Sequence, residues 1–139
     1  MAHECEGTWA SSITYFVKNG SPVANPVKEP DGEITVDPHA TPAFHGRHDK
    51  QGTSTPLDRT DCRPGTFGNV HIVFSRRLSG GGHIAYEGHV LQGKFIFGYV
   101  EHRGGPADGD TGTWGATKEA GPTNRDKDKD KKGKGDSTS

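Results

Sequence analysis

Between Asn69 and Lys118 the chain repeats one pattern four times: eight to ten residues in which large apolar side chains alternate with polar or small ones, with glycine-bearing connections between the runs. A period of two is what a strand shows when one face is buried and the other is wet. Asn69 to Leu78 sets Val70, Ile72 and Phe74 on one face and His71, Val73 and Ser75 on the other, and Gly80-Gly81-Gly82 supplies a permissive turn. His83 to Leu91 follows, Gln92-Gly93 turns the chain again, and Lys94 to Arg103 sets Phe95, Phe97 and Tyr99 against Ile96, Gly98 and Val100. Gly104 to Asp110 is the next loop and Thr111 to Lys118 the last strand. Connections this short leave no room for a crossover helix, so the strands form an antiparallel meander.

The first half is less regular. Gly7 to Val17 alternates Trp9, Ser11, Ile13, Tyr15 and Val17 with Thr8, Ala10, Ser12, Thr14 and Phe16, and its β-branched and aromatic content favours a strand. Lys18 to Asp31, interrupted by Asn19-Gly20, Pro22, Pro26 and Pro30, reads as an irregular loop. Short strands are expected at Glu33 to Val36 and Ala43 to His48. Asp49 to Gly65 holds almost no apolar residue beyond Leu57 and reads as a long surface loop, a candidate lid.

A chain of 139 residues has room for one domain, and an apolar fraction of 28% with 21 glycines and nine prolines means a thin core among many turns. Residues 1–120 are expected to form that domain. Residues 121–139, GPTNRDKDKDKKGKGDSTS, hold no large apolar side chain to offset their ordering entropy and are expected to be a disordered, solvated tail. The tail carries six basic and four acidic residues, which leaves eleven basic against fourteen acidic before it. Duplex nucleic acid is therefore not expected as a partner of the folded part, because binding it takes clustered Lys and Arg. No apolar run approaches the ~20 residues that span a bilayer, and Met1 to Thr14 lacks the pattern of a secretory leader. Cys5 and Cys62 fit either two buried thiols of a cytosolic protein or one disulfide of a secreted one. The expectation adopted is reduced thiols in a soluble protein, cytoplasmic ahead of secreted.

An open sheet would leave two exposed edges, and both faces of Lys94 to Val100 carry large apolar side chains; closure into a barrel covers both. Gly7-Thr8-Trp9 and Gly112-Thr113-Trp114 repeat one tripeptide at the two ends of the folded part, which suits first and last strands that are neighbours in a closed barrel. The expected fold is all-β: a single small antiparallel up-and-down β-barrel of about six to eight strands. On these residues, with the glycine-punctuated meander and the terminal Gly112-Thr113-Trp114-Gly115-Ala116, the chain resembles the calycin group of small barrels, which includes avidins and lipocalins. The resemblance implies architecture alone. An avidin would carry Asn and Ser where this chain has Ser11 and Tyr15, so biotin is not carried over; a lipocalin would be longer and would add a helix after its last strand.

Candidate chemistry is sparse. Glu87 and His89 share one face of a strand about 7 Å apart, and a carboxylate beside an imidazole is the smallest arrangement for acid/base catalysis. That face is equally the wet side of a half-buried strand, since Ile84, Tyr86 and Val90 lie opposite. His39, His45 and His48 lack the further ligands of a metal site, Gly80-Gly81-Gly82 lacks the helix and Lys-Ser/Thr pair of a phosphate loop, and neither metal nor cofactor is expected. A barrel of about eight strands is filled by its own side chains or holds one small ligand. The leading expectation is binding of a small, mostly apolar or aromatic molecule in the interior, lined by Trp9, Tyr15, Phe74, Tyr86, Phe97, Tyr99 and Trp114. The alternatives are a small β-barrel isomerase, cyclase or lyase using Glu87 and His89 or a tyrosine, and a protein-interaction module.

Overall fold

A computed structural model of the chain describes residues 3–47, 54–65 and 69–119; the expected tail, His48 and Phe67 lie outside the described residues. It is all-β and antiparallel, with no α-helix among the described residues. A single 3-10 turn, His3–Cys5, precedes β1 (Gly7–Lys18), β2 (Ser21–Pro22), β3 (Lys28–Val36), β4 (Phe44–Arg47) and β5 (Thr55–Pro56). Then come β6 (Asp58–Pro64), β7 (Val70–Arg77), β8 (His83–Leu91), β9 (Phe95–Arg103) and β10 (Thr111–Lys118). The strands form one sheet in the order β5-β4-β3-β1-β10-β9-β8-β7-β6, with β2 paired to β1. Its two ends, β5 and β6, follow each other in the chain with Leu57 between them, so the sheet is a nearly closed barrel with one seam.

The meander runs as the alternation predicts, and β10 lies against β1, as the repeated tripeptide suggested. Trp9 is paired with Lys118 and Trp114 with Ile13, so the two indoles sit four residues apart along β1, about 13 Å, and fill different levels of the interior. Both are buried, and each indole N–H donates inside the protein, Trp9 to the Cys5 carbonyl at 2.9 Å and Trp114 to Ser11 Oγ at 2.7 Å.

The described residues form ten strands rather than six to eight, because two stretches expected as loop are paired. In place of an irregular loop from Lys18 to Asp31, β2 makes a short ribbon and β3 begins at Lys28. Pro30 is tolerated there because β4 pairs only with Glu33 to Val36, so this half of β3 is an edge on that side. In place of a surface loop up to Gly65, the polar strand β6 pairs with β7 through Asp58 and Asp61 to Pro64 and buries only Cys62, with Leu57 buried just before it. Residues 49–53 of that expected loop lie outside the described residues.

The thiol expectation is also overturned: Cys5 and Cys62 form a disulfide that joins the 3-10 turn to β6. Spacing in sequence could not reveal this, because only barrel curvature brings the segment before β1 beneath the far edge of the sheet. Both cysteines are buried in the same core as Trp9 and Ile72.

Candidate functional site

Inward-facing side chains fill the barrel. Phe74 stacks on Tyr86 with ring centroids 4.5 Å apart, and Trp114 meets both edge-on at 5.3 and 5.2 Å. The Trp114 row runs through Ile72, Gly88 and Gly98 on the neighbouring strands. Gly98 admits no side chain, since a Cβ there would run into the Glu87 carbonyl oxygen. What space remains beside Phe74, Arg76 and Tyr86 is about 10 Å³, no more than one water requires. Four of the residues expected to line a ligand cavity, Trp9, Phe74, Tyr86 and Trp114, are therefore packed core.

Set into this core is a charged network that the alternation did not bring out as a site. Asp31 lies in a bulge where the β1–β3 register shifts, and this turns its side chain inward. Arg76 Nη2 donates to Asp31 Oδ1 at 2.8 Å and to Tyr86 Oη at 2.8 Å, and Tyr86 Oη donates to Asp31 Oδ2 at 2.8 Å. Ser11 Oγ, which accepts from Trp114, donates to Asp31 Oδ2 at 3.3 Å. Burial, reinforced by the Asp31 charge, holds the Tyr86 phenol well above its ordinary pKa. Burial opposes the Arg76 charge, but Tyr86 and Asp31 outweigh it and raise the guanidinium further. The ring of charge-assisted hydrogen bonds makes burial of both charges tolerable. Arg76 had a signal in the sequence, for it shares parity with Val70, Ile72 and Phe74. Asp31 had none, because a bulge breaks parity.

Toward the end of β1, Tyr15 Oη lies 2.7 Å from His102 Nε2. His102 continues the inward face of β9, is buried, and has an Nδ1 with no hydrogen-bond partner among the described residues. Burial, followed by Asp31, pushes Tyr15 up to about 12, and burial lowers His102 below its ordinary value despite the nearby Asp110. The pair is a neutral phenol against a neutral imidazole.

These shifts make stability depend on pH in opposite senses. Folded His102 stays neutral where an unfolded chain takes up a proton, so its contribution is complete above about 6.5 and is lost as pH falls below that. Folded Tyr15 keeps its proton up to about 12. The unfolded phenol titrates near ~10, so this contribution is complete below ~10 and disappears above it. Urea midpoints should hold a plateau between about pH 7 and 9.5 and fall on either side. His102→Gln should flatten the limb that begins below about pH 6.5; a limb unchanged by that substitution would assign the fall to other groups.

The remaining expected site residues face outward. Glu87 and His89 are exposed on β8, and the carboxylate's partner is the cross-strand His71, with Nε2 2.9 Å from Glu87 Oε2. His71 is the diagonal neighbour of Glu87 across the β7–β8 pair, a distance that long side chains span. Phe95, Phe97 and Tyr99 stand on the outside of β9, 50%, 56% and 65% exposed, so closure covers one face of this strand and not the other. Beside this aromatic ridge, β10 and β1 present only Thr113, Gly115 and Thr117 and then Ala10, Ser12 and Thr14. The result is an open trough of about 570 Å³, walled by Phe95 and Phe97 on one side and by Lys28 and Pro30 on the other. Gly115 forms its floor without being required by the fold: its φ is not positive, and a Cβ would meet only the Ile96 carbonyl at 3.7 Å.

No protein-family model matches the chain, and neither the curated proteins nor the solved structures contain a match to it. Among the described residues no helix is long and apolar enough to cross a membrane, and no three His, Cys, Asp or Glu side chains converge as metal ligands.

Proposed function

We propose that the protein is a binding module whose site is the trough on the outside of the barrel, and that it takes a small, mostly apolar or aromatic group there. The observation that carries this reading is the contrast in space: about 10 Å³ in the interior against about 570 Å³ beside Phe97. Three aromatic side chains held half exposed on one strand have an unfavourable hydration that burial against a ligand relieves. The serine and threonine hydroxyls of the floor satisfy polar edges of whatever lies on them. The reading keeps the barrel of the calycin-like resemblance and moves the binding site from its inside to its outside. The Cys5–Cys62 disulfide supports an oxidising compartment as the place of work.

Titration with anilinonaphthalene sulfonate, a small aromatic probe, tests the reading at protein concentrations of about 1 μM, below the range in which weak complexes form. Its fluorescence should rise with the native protein and lose most of that rise in Phe97→Ser, while Tyr86→Phe in the interior leaves it in place. Equal enhancement in Phe97→Ser and the native protein would place the probe elsewhere and overturn the reading.

The enzyme alternative now rests on a different pair. Tyr15 and His102, at 2.7 Å with an unpartnered Nδ1 behind them, are the groups with which this barrel would move a proton. They favour it only as a second reading, since neither the trough nor the space beside Tyr86 is lined by Tyr15 or His102.

A further inference from the structure

The outer face has two complementary halves side by side. Reading across the sheet, the central row is His71, His89, Phe97, Gly115, Ser12 and Pro30. The row on one side is Val73, Glu87, Tyr99, Thr113, Thr14 and Lys28; the row on the other is Leu91, Phe95, Thr117, Ala10 and Glu33. Large side chains thus occupy β9, and small ones occupy β10 and β1 at the same heights. A two-fold axis lying along the strands between β9 and β10 exchanges these halves, and such an interface must be self-complementary.

We infer that the trough is filled by the Phe97 ring of a second copy of this chain, two barrels meeting face to face about that axis. The inference rests on the reading of the outer face as the binding surface and names its occupant. In this arrangement Phe97 lies over the partner's Gly115, the one position on the face with no side chain. Tyr99 lies over the partner's Thr113, and Phe95 over the partner's Thr117. The glycine then has a reason that the isolated barrel does not provide. A glycine within a strand weakens it and marks close approach by another group, and the fold itself leaves room for a Cβ at Gly115.

Charge agrees with shape. Glu87 of one copy comes to lie over Thr14 of the other, one strand away from Lys28 in the same row, so a lateral offset of about 5 Å adds to the ~10 Å between facing sheets and the two long side chains reach toward each other across it. Each interface contains this Glu87 to Lys28 pair twice. Exposed aromatics of this size leave roughly 100 Å² each outside the protein, about 300 Å² for the ridge of three, and with the trough that receives the partner's ridge the contact falls among the small, transient interfaces. An interface of this class exchanges between monomer and dimer.

Sedimentation equilibrium of the full chain from about 1 μM to 1 mM tests the inference. The native protein should pass from monomer to dimer across that range. Phe97→Ser and Gly115→Gln should each weaken the dimer about 30-fold or more, as central contacts do, with the thermal midpoint of Gly115→Gln near the native value. Lys28→Glu and Glu87→Lys should each weaken it, and the two together in one chain should restore it. A native protein that stays monomeric to 1 mM overturns the second copy as occupant, as does a dimer indifferent to Phe97→Ser or a double variant no tighter than the singles. The naphthalene probe separates the two levels. Probe binding that depends on Phe97 in a persistent monomer leaves the trough as a ligand site and removes the dimer, whereas no probe binding and no dimer removes both.

Discussion

Replacing Asp31 with alanine should cost about 3–5 kcal/mol of folding stability, the range seen when one partner of a buried ion pair is removed. The side chains of Asp31 and Arg76 are only 8% and 12% exposed, so the guanidinium left without its carboxylate has little water to turn to. Tyr86 Oη loses its acceptor at the same time and Ser11 Oγ loses another, which leaves polar groups buried among Phe74, Trp114 and Ile34. The loss should be much smaller when the whole network is replaced by apolar groups of like shape, as in Asp31→Leu with Arg76→Met and Tyr86→Phe. Urea unfolding of the single and triple variants decides. A triple variant weaker than Asp31→Ala would mean that the network stabilises the barrel beyond compensating for its own burial.

Trp114→Ala should be about as damaging, again roughly 3–5 kcal/mol, the usual cost of removing a fully packed large aromatic. The indole is 1% exposed, touches Phe74 and Tyr86 edge-on, and lies in the row where Gly88 and Gly98 carry no side chain, so little nearby can move in to fill the space. Its N–H also holds Ser11 Oγ, through which the packed core is joined to Asp31. For a domain whose total stability is of the order of 5–15 kcal/mol, either substitution removes a large share. Phe97→Ala, an aromatic of similar volume on the outer face, should cost the isolated barrel less than about 1 kcal/mol because it is already half in water. A Trp114→Ala protein with a urea midpoint close to native would show that the indole is not packed in solution.

Both effects come from the same place, the middle of the barrel, where alternation along the strands made the apolar part legible. Trp9, Ile13, Ile72, Phe74, Ile84, Tyr86, Ile96, Val100 and Trp114 face inward as period two requires, and the bounds of β8 and β10 match the pattern to the residue. Local pattern suffices there because both faces of each strand lie in uniform surroundings over its whole length. The same rule leaves out what is irregular. Asp31 points inward through a register shift, β2 and β5 are two residues long, and β6 is a polar edge; none of these carries a periodic signal.

What the sequence by itself determined was the antiparallel meander from Val70 to Lys118, the strand Gly7 to Val17, the neighbouring of first and last strands, and the alternation of side chains between two faces; which face of β9 lies inside was not among these, since Phe97 and Tyr99, expected to line the interior, stand outside. These follow from short-range geometry, in which the period of the side chains and the chemistry of the turns act within a few residues of one another. Three things were decided only by the tertiary structure. Curvature of the sheet brought Cys5 to Cys62 across 57 positions, packed Phe74, Tyr86 and Trp114 against one another inside, and left the Phe95, Phe97 and Tyr99 ridge beside a glycine-floored trough on the outside. Each depends on the distance between strands that are remote in the chain, and the radius of a barrel is set by all of its strands together, so no single stretch of sequence contains it.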